Sequence, residues 1–122
     1  MPLTPRCRTW LEKDGRPAFG DGRARLLEAI RRAGSINGGA ATMGMSYRNA
    51  WAHLNHMEQR LGMKLVERRV GGSHCGGCRL TPAGERLLAA YHEYRKKLDR
   101  EMLALWRRIG LRPSKRASAR SS

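Results

Sequence analysis

Hydrophobic residues recur at two different spacings along this chain, and the changes between them predict its elements. Residues 23–33 carry apolar side chains at steps of three and four, which is typical of an amphipathic helix, and Asp21 is placed to cap it. Residues 8–19 instead favour strand on both sides of an Asp-Gly turn, which predicts a β-hairpin. We expect Trp10 and Phe19 to be the inward-facing anchors of this hairpin.

Two shorter helical segments separated by a glycine come next. Residues 36–43 are rich in small side chains, which let another helix approach closely, although Gly38 and Gly39 lower the intrinsic helix propensity. After a turn at Gly44, a longer segment runs over residues 46–61 and begins with a serine suited to cap a helix. This order predicts a helix-turn-helix.

Helix 46–61 has an apolar side and a polar side. The predicted inward set is Ala50, Trp51, Leu54, Met57 and Leu61. The polar side begins at the helix N-terminus, where arginine suits guanine, asparagine suits adenine, and free N–H groups suit phosphate. We interpret it as a DNA-recognition helix, and the alternative is a solvated face on an ordinary helix. The candidate contacts are Ser46, Tyr47, Arg48, Asn49, His53 and His56.

The hydrophobic spacing changes again after this helix. Residues 64–70 are typical of a strand, a glycine-rich loop follows, and residues 78–80 can return as its partner. A two-stranded ribbon directly after a helix-turn-helix is a wing, here over residues 66–80. Its glycines permit close approach to a sugar-phosphate backbone or the minor groove. The candidate contacts are Arg68, Arg69 and Arg79, of which we expect at least one to face solvent instead.

A long helix is predicted over about residues 81–110, with Thr81 as its cap and Pro82 in the first turn. Its apolar stripe is long, and about 28 residues of helix extend for about 42 Å, more than so small a body can cover. We therefore predict a homodimer formed through this helix; the alternative is that it folds back on its own domain. The predicted interface is Leu88, Tyr91, Leu98, Met102, Leu105, Trp106 and Ile109.

Length and charge narrow the class of protein. The 122 residues fit one domain over 1–110, mainly α with a small amount of β, and a basic tail over 111–122 that we expect to be disordered. The formal net charge of +15 favours a polyanionic partner, which includes DNA, RNA and an anionic membrane surface, and also fits a merely basic protein. With no apolar span or signal peptide, we expect a cytoplasmic protein that does not enter membranes.

The order of several segments resembles a known family. WLEKDGRPAFGDGRARLLEAI, GSI, MGMSYRNAW and LVERRVGG followed by RLTPAGERLL are similar to the N-terminal DNA-binding domain of ModE-type molybdate-responsive transcriptional regulators, with a looser likeness to LysR-type regulators. The resemblance covers about residues 10–109. It implies a dimeric bacterial transcription factor that contacts double-stranded DNA through helix 46–61 and the wing. Ser46, Tyr47, Arg48 and Asn49 match the start of the family's DNA-facing helix.

The sequence departs from that family in two respects. The molybdate-binding domains of full-length members do not follow in this sequence, so molybdate is not expected to bind this chain. The wing, mostly glycine in the family, here contains His74, Cys75 and Cys78. These donors, with Cys7 as a further ligand, suit zinc, copper(I) or an iron-sulfur cluster. A reversible disulfide and residues without special chemistry are the alternatives.

The leading hypothesis is a sequence-specific DNA-binding regulator. An architectural or protein-interaction module that does not read sequence is the alternative, and it carries the same charge. An enzyme is not expected, because the chain has no P-loop, no paired carboxylates in an apolar setting and no nucleophile beside a recognisable base.

Overall fold

A computed structural model of the protein describes residues 3–68 and 77–111. The elements are β1 (Trp10–Lys13), β2 (Arg16–Gly20), α1 (Asp21–Ala33), α2 (Ile36–Met43), α3 (Tyr47–Leu61), β3 (Val66–Arg68), β4 (Cys78–Leu80) and α4 (Pro82–Ile109). The chain divides into two compact units, Arg8–His92 and a second one formed by residues 3–7 with 93–111. The predicted class, mainly α with a hairpin, a helix-turn-helix, a ribbon and a long last helix, is confirmed.

The N-terminal hairpin buries only its second strand. β1 and β2 pair antiparallel, all four residues of β1 are exposed, and Phe19 of β2 is 1% exposed. The ring of Phe19 meets that of Tyr91 edge to face at 5.2 Å between centroids. The inward prediction is therefore right for Phe19 and wrong for Trp10, which is 55% exposed. Trp10 lies on the outer strand, where its indole N–H donates to the carboxylate of Glu12.

The Asp21 carboxylate connects α1 to the segment before β1 and to α4, and it does not cap a helix. The N-cap of α1 is Gly20, and Asp21 is the first helical residue, so the capping prediction is wrong. Its carboxylate accepts hydrogen bonds from the backbone N–H of Thr9 at 3.3 Å and from the hydroxyl of Tyr91 at 2.6 Å. Tyr91 also donates to the carbonyl of Thr9. The third turn of α4 is thereby fixed to the first turn of α1.

The first three helices pack around one apolar core. It contains Leu26, Leu27 and Ile30 of α1, buried residues of α2 and α3, and further buried side chains from β2, the ribbon and α4. Gly39 of α2 lies directly on Ile30, because a Cβ at that position would come within 2.8 Å of the Ile30 backbone. The glycine pair that weakens the helix propensity of α2 thus permits the close approach of α1 and α2.

Replacing Gly39 by alanine is therefore expected to destabilise the fold. An added methyl group must push α1 and α2 apart, and overpacking of this kind costs about 1–3 kcal/mol. Gly22→Ala is the matched control, because that helical glycine has open space around it and alanine is the better helix former. Urea unfolding of both variants measures the difference. Equal stability of Gly39→Ala and the unaltered protein would contradict the close approach.

The turn between α2 and α3 is fixed by caps at both ends. Ser35 accepts a hydrogen bond from the N–H of Gly38 at the start of α2. Gly44 ends that helix in the left-handed region at φ 70°, where glycine carries no steric penalty. Ser46 then caps α3 by accepting from the N–H of Asn49 at 3.0 Å. The predicted helix-turn-helix is confirmed with these boundaries.

The ribbon begins at Val66, as predicted for the wing, and its first strand starts two residues after the start of the predicted strand 64–70. The carboxylate of Glu58 accepts hydrogen bonds from the N–H groups of Leu65 and Val66, which holds the chain against α3 before β3 starts. β3 and β4 pair antiparallel with Val66 opposite Leu80, and both side chains are buried. The N–H of Cys78 also donates to the carbonyl of Gly34. The ribbon is thus attached to the helix-turn-helix at its base.

The last helix begins and ends where the sequence predicts. Thr81 caps α4 by accepting from the N–H of Gly84 at 3.0 Å, and Gly84 lies against the carbonyl of Leu65, where a side chain would not fit. In the second unit, the N-terminal segment runs along α4: Arg95 donates to the carbonyl of Cys7, and Trp106 to that of Leu3. Among the described residues, no helix combines the length and the apolarity needed to cross a membrane.

Candidate nucleic-acid interface

The first two turns of α3 present polar side chains to solvent. Tyr47, Arg48, Asn49 and His53 are all exposed, whereas Ala50 on the adjacent face is fully buried. The hydroxyl of Ser46 is occupied in capping the helix, so its first role is to set the helix start. An exposed polar N-terminus on the second helix of a helix-turn-helix is the arrangement that places side chains against base edges.

Trp51 is the one large side chain of α3 that the sequence assigns to the wrong side. It is 44% exposed, and it lies beside Val66 and Arg68 at the edge of a groove between α3 and the ribbon. Trp51 follows Ala50 by one residue, which turns it about 100° away from that buried position in a helix of 3.6 residues per turn. The prediction that it points inward is wrong, and Trp51 extends the exposed surface instead.

The ribbon lies next to the start of α3. The guanidinium of Arg68 donates to the Tyr47 hydroxyl at 3.3 Å, which connects β3 to the first residue of α3. Arg79 forms an ion pair with Glu67 at 2.9 Å across the ribbon, so part of its charge is already compensated. Arg69 lies outside the described residues. Of the two predicted wing arginines within the described residues, Arg68 therefore contacts the start of α3 and Arg79 is paired within the ribbon.

His56 lies on the same side of α3 as Asn49 but has a partner within the protein. Its Nδ1 accepts a hydrogen bond from the guanidinium of Arg23 at 3.0 Å, and the residue is half-buried. Burial, followed by the charges of Arg23, Arg60 and His53, lowers the pKa of His56. Burial, followed by the charge of Arg60, likewise lowers the pKa of Arg23. The sequence does not indicate this contact, because Arg23 and His56 are 33 residues apart.

The lowered pKa of His56 predicts how stability depends on pH. Below about 6.5 the unfolded state takes up a proton at His56 more readily than the folded state, so the free energy of unfolding falls as the pH decreases. His56→Gln keeps an acceptor for Arg23 and removes the proton site, so its loss of stability on acidification is expected to be smaller. Denaturant unfolding at pH values on both sides of 6.5 measures this, with His92→Gln on α4 as control. A loss as steep in His56→Gln as in the unaltered protein would refute the linkage.

The proposed metal ligands are only partly within the described residues. His74 and Cys75 lie outside them. Cys7 is exposed, and Cys78 is 4% exposed within the core cluster between β4 and the helices. Over residues 3–68 and 77–111, no group of three or more metal-binding side chains comes together. The burial of Cys78 shows that this side chain contributes to packing.

The predicted dimer residues divide into two groups. Leu88 and Tyr91 are each 3% exposed and belong to the core of their own unit, so burial removes them from any surface that a second subunit could contact. Leu98, Met102 and Trp106 are half-buried, while Leu105 and Ile109 are 48% and 59% exposed. The stripe that remains is therefore Leu98, Met102, Leu105, Trp106 and Ile109.

Comparison with known proteins agrees with this geometry. The profile of the family described as bacterial regulatory helix-turn-helix protein, lysR family, matches residues 22–85. Because the match spans more than half of the sequence, the chain belongs to this family of DNA-binding winged helix-turn-helix domains. Such regulatory domains are not enzymes, in agreement with the expectation from the sequence.

The curated relatives confirm the resemblance to ModE-type regulators. The molybdenum transport protein ModE of Azotobacter vinelandii is 42% identical over 97 residues, which are 76% of this chain and 36% of that protein. The DNA-binding transcriptional dual regulator ModE of Escherichia coli (strain K12) is 45% identical over 69 residues, 57% of this chain and 26% of that protein. This chain thus spans about a third or less of these two relatives.

Among solved structures, the DNA-binding domain in a complex of CbnR with DNA superposes with a TM-score of 0.53. It is 26% identical, and the match covers 64% of this chain and 84% of that one. The match supports the assignment of the fold as a winged helix-turn-helix.

Proposed function

We propose that this chain is the DNA-reading part of a dimeric, sequence-specific transcriptional regulator. Residues 46–61 enter the major groove, and the wing over residues 66–80 contacts the backbone or the minor groove. The main observation behind the proposal is the exposed polar start of α3. Arg48 and Asn49 are exposed there, next to Tyr47, which accepts a hydrogen bond from Arg68. A reader of bacterial DNA acts where that DNA is, so we place the protein in the cytoplasm.

The charge of the chain supports the choice of double-stranded DNA. A net charge of +15 gives long-range attraction to phosphate, and the exposed face of α3 adds the hydrogen-bonding groups that distinguish bases. Each phosphate contact releases counterions, so affinity is expected to fall steeply with salt. Charge alone gives binding without specificity. The specific part of the affinity is therefore assigned to α3.

The dimer is proposed from the exposed apolar stripe on the second half of α4. Leu105 and Ile109 lie one turn apart on the same face of the helix, and both are about half exposed or more. Pairing of two such helices around a two-fold axis would bury them and would present two copies of α3 to successive major grooves. A two-fold operator with half-sites about one helical turn apart is expected.

Selection from a random-sequence DNA library tests the proposed function against its alternative. A sequence-specific regulator enriches a defined motif, and a dimer enriches one with two-fold symmetry. An architectural or protein-interaction module without sequence readout enriches none. Recovery of random sequences at the same affinity as the selected pool would replace the proposal by that alternative.

Regulation through the wing thiols is a separate proposal, which the Cys-x-x-Cys spacing supports and the burial of Cys78 opposes. A metal bound by His74, Cys75 and Cys78, with Cys7 as a further ligand, predicts stoichiometric zinc, copper or iron in protein purified without chelator. A thiol switch predicts that oxidised and reduced protein differ in DNA affinity. Metal-free protein with equal affinities in both redox states would remove both versions.

A further inference from the structure

A second polar site lies near the C-terminal end of α3, away from the exposed polar residues at the start of that helix. An open cavity of about 630 Å³ is lined by the N-terminal hairpin, the start of α1 and the last two turns of α3. Trp10, Pro17 and Phe19 form an apolar wall of the cavity, and His56 and Arg60 of α3 line it on another side. This volume is in the range of small-molecule sites, which are about 300–1,000 Å³.

The charges around the cavity are mostly positive. Four arginines line it, and the one carboxylate in its wall, Asp21, already accepts from the Thr9 N–H and the Tyr91 hydroxyl. The cavity also contains the N-terminus of α1, whose N-cap Gly20 offers no side chain to its first-turn N–H groups. The arginines are Arg8, Arg23, Arg25 and Arg60.

Two of these arginines, Arg23 and Arg60, line the same cavity, and neither forms an ion pair with a carboxylate of the described residues. The charge of Arg60 acts on Arg23 strongly enough to lower its pKa, after the larger effect of burial. The Nη1 of Arg60 is buried and has no hydrogen-bond acceptor among the described residues. Arg23 donates from Nη1 to the carbonyl of Ala18 at 3.4 Å and from Nη2 to the ring of His56, and neither acceptor is an anion. Buried donors of this kind normally have a partner.

We propose that this cavity binds a small molecule that carries an oxyanion group, such as a phosphate, sulfate or carboxylate, between Arg23 and Arg60. The planar guanidinium groups match the paired oxygens of such a group, and the N-terminus of α1 adds N–H donors and a positive end of the helix dipole. The apolar wall beside Trp10 accommodates the remainder of the ligand.

A free small molecule fits this cavity better than a phosphate of the DNA backbone. The cavity is concave and has an apolar wall of Trp10, Pro17 and Phe19, which suits a ligand with a nonpolar part better than a phosphodiester group. Arg60 also lies near the C-terminal end of α3, three turns of helix from Arg48. Because binding is measured on the protein alone, the test does not depend on the proposed DNA-reading function.

Titration of the full chain with inorganic phosphate, without DNA and at constant ionic strength, tests the proposal. Thermal unfolding and calorimetry are expected to show saturable binding, since a ligand that binds the folded state raises the unfolding temperature. Arg60→Gln and Arg23→Gln each remove one charge-assisted donor and are expected to weaken binding at least about tenfold. Arg32→Gln is the matched control, because that arginine is exposed on α1 and pairs with Glu28.

Three results would overturn the proposal. The first is an equal response of the unaltered protein, Arg60→Gln and Arg23→Gln, with circular dichroism showing that the variants fold. The second is a response to phosphate no larger than the response to chloride. The third is no phosphate binding together with a loss of affinity for random duplex DNA in Arg60→Gln but not in Arg32→Gln, which would make Arg60 a contact to the DNA backbone.

Discussion

Arg48→Ala is expected to lower affinity for the preferred duplex by about 1–3 kcal/mol, the usual contribution of a bidentate contact between arginine and guanine. Arg48 is exposed in the first turn of α3, and Ser46 fixes that turn by capping it. Affinity for the preferred sequence is expected to fall, whereas affinity for a random duplex is expected to stay nearly unchanged. Fluorescence anisotropy with both duplexes at one salt concentration measures the two effects.

The control for this prediction is Arg32→Ala, which removes the same charge from an exposed position on α1 that pairs with Glu28. It is expected to change both affinities slightly and equally. If Arg48→Ala weakened the preferred and the random duplex by the same factor, Arg48 would be a phosphate contact. Base reading would then belong to other side chains at the start of α3.

Leu105→Glu is expected to convert the protein to a monomer and to weaken binding to a two-half-site duplex by about a hundredfold. Leu105 is 48% exposed on the α4 stripe, so a carboxylate there would be buried against its partner in a dimer. A monomer loses the second, intramolecular binding event, which is worth a factor of about 10²–10⁴. Analytical ultracentrifugation and binding to one and to two half-sites measure both effects.

Ala104→Glu is the matched control, because it adds the same charge at an exposed position about 100° around α4 from Leu105. It is expected to leave the oligomeric state unchanged. A Leu105→Glu protein that sediments as the unaltered protein does, with the same preference for two half-sites, would contradict the proposed interface.

The helix boundaries could be predicted because local chemistry sets them. Gly34, Gly44 and Gly62 each end a helix at a positive φ of about 70°, and Ser46 and Thr81 each accept the hydrogen bond expected of a cap. These signals act within four residues. The order of helices, the turn and the ribbon could therefore be deduced from sequence.

The mistaken side-chain placements have a different origin. Trp10 and Trp51 are large and apolar, which favours burial, but Trp10 lies on the outer strand and Trp51 is one step beyond the buried face of α3. Asp21 has the chemistry of a cap, yet its carboxylate is used by Thr9 and Tyr91. In each case a tertiary contact, or the position of the residue at the edge of an element, determines where the side chain lies. Amino-acid composition does not contain that information.

The polar start of α3 and the arginine-lined cavity also differ in how far the sequence can predict them. Arg48 and Asn49 are adjacent in sequence, so the exposed polar start of α3 can be predicted from one helix and its cap. The cavity requires Arg23 and His56, which the folding of α1 against α3 brings within 3.0 Å across 33 residues. Only the structure brings these side chains together.

Hydrogen exchange of the full chain with and without its selected duplex is the most direct test of whether α3 reads DNA, since it shows which backbone segments the DNA covers. We expect slower exchange at the start of α3, over residues 46–53, and in the ribbon beside it. Unchanged exchange over residues 46–53, with protection confined to α4 or to the hairpin, would contradict the assignment of α3 as the element that reads DNA.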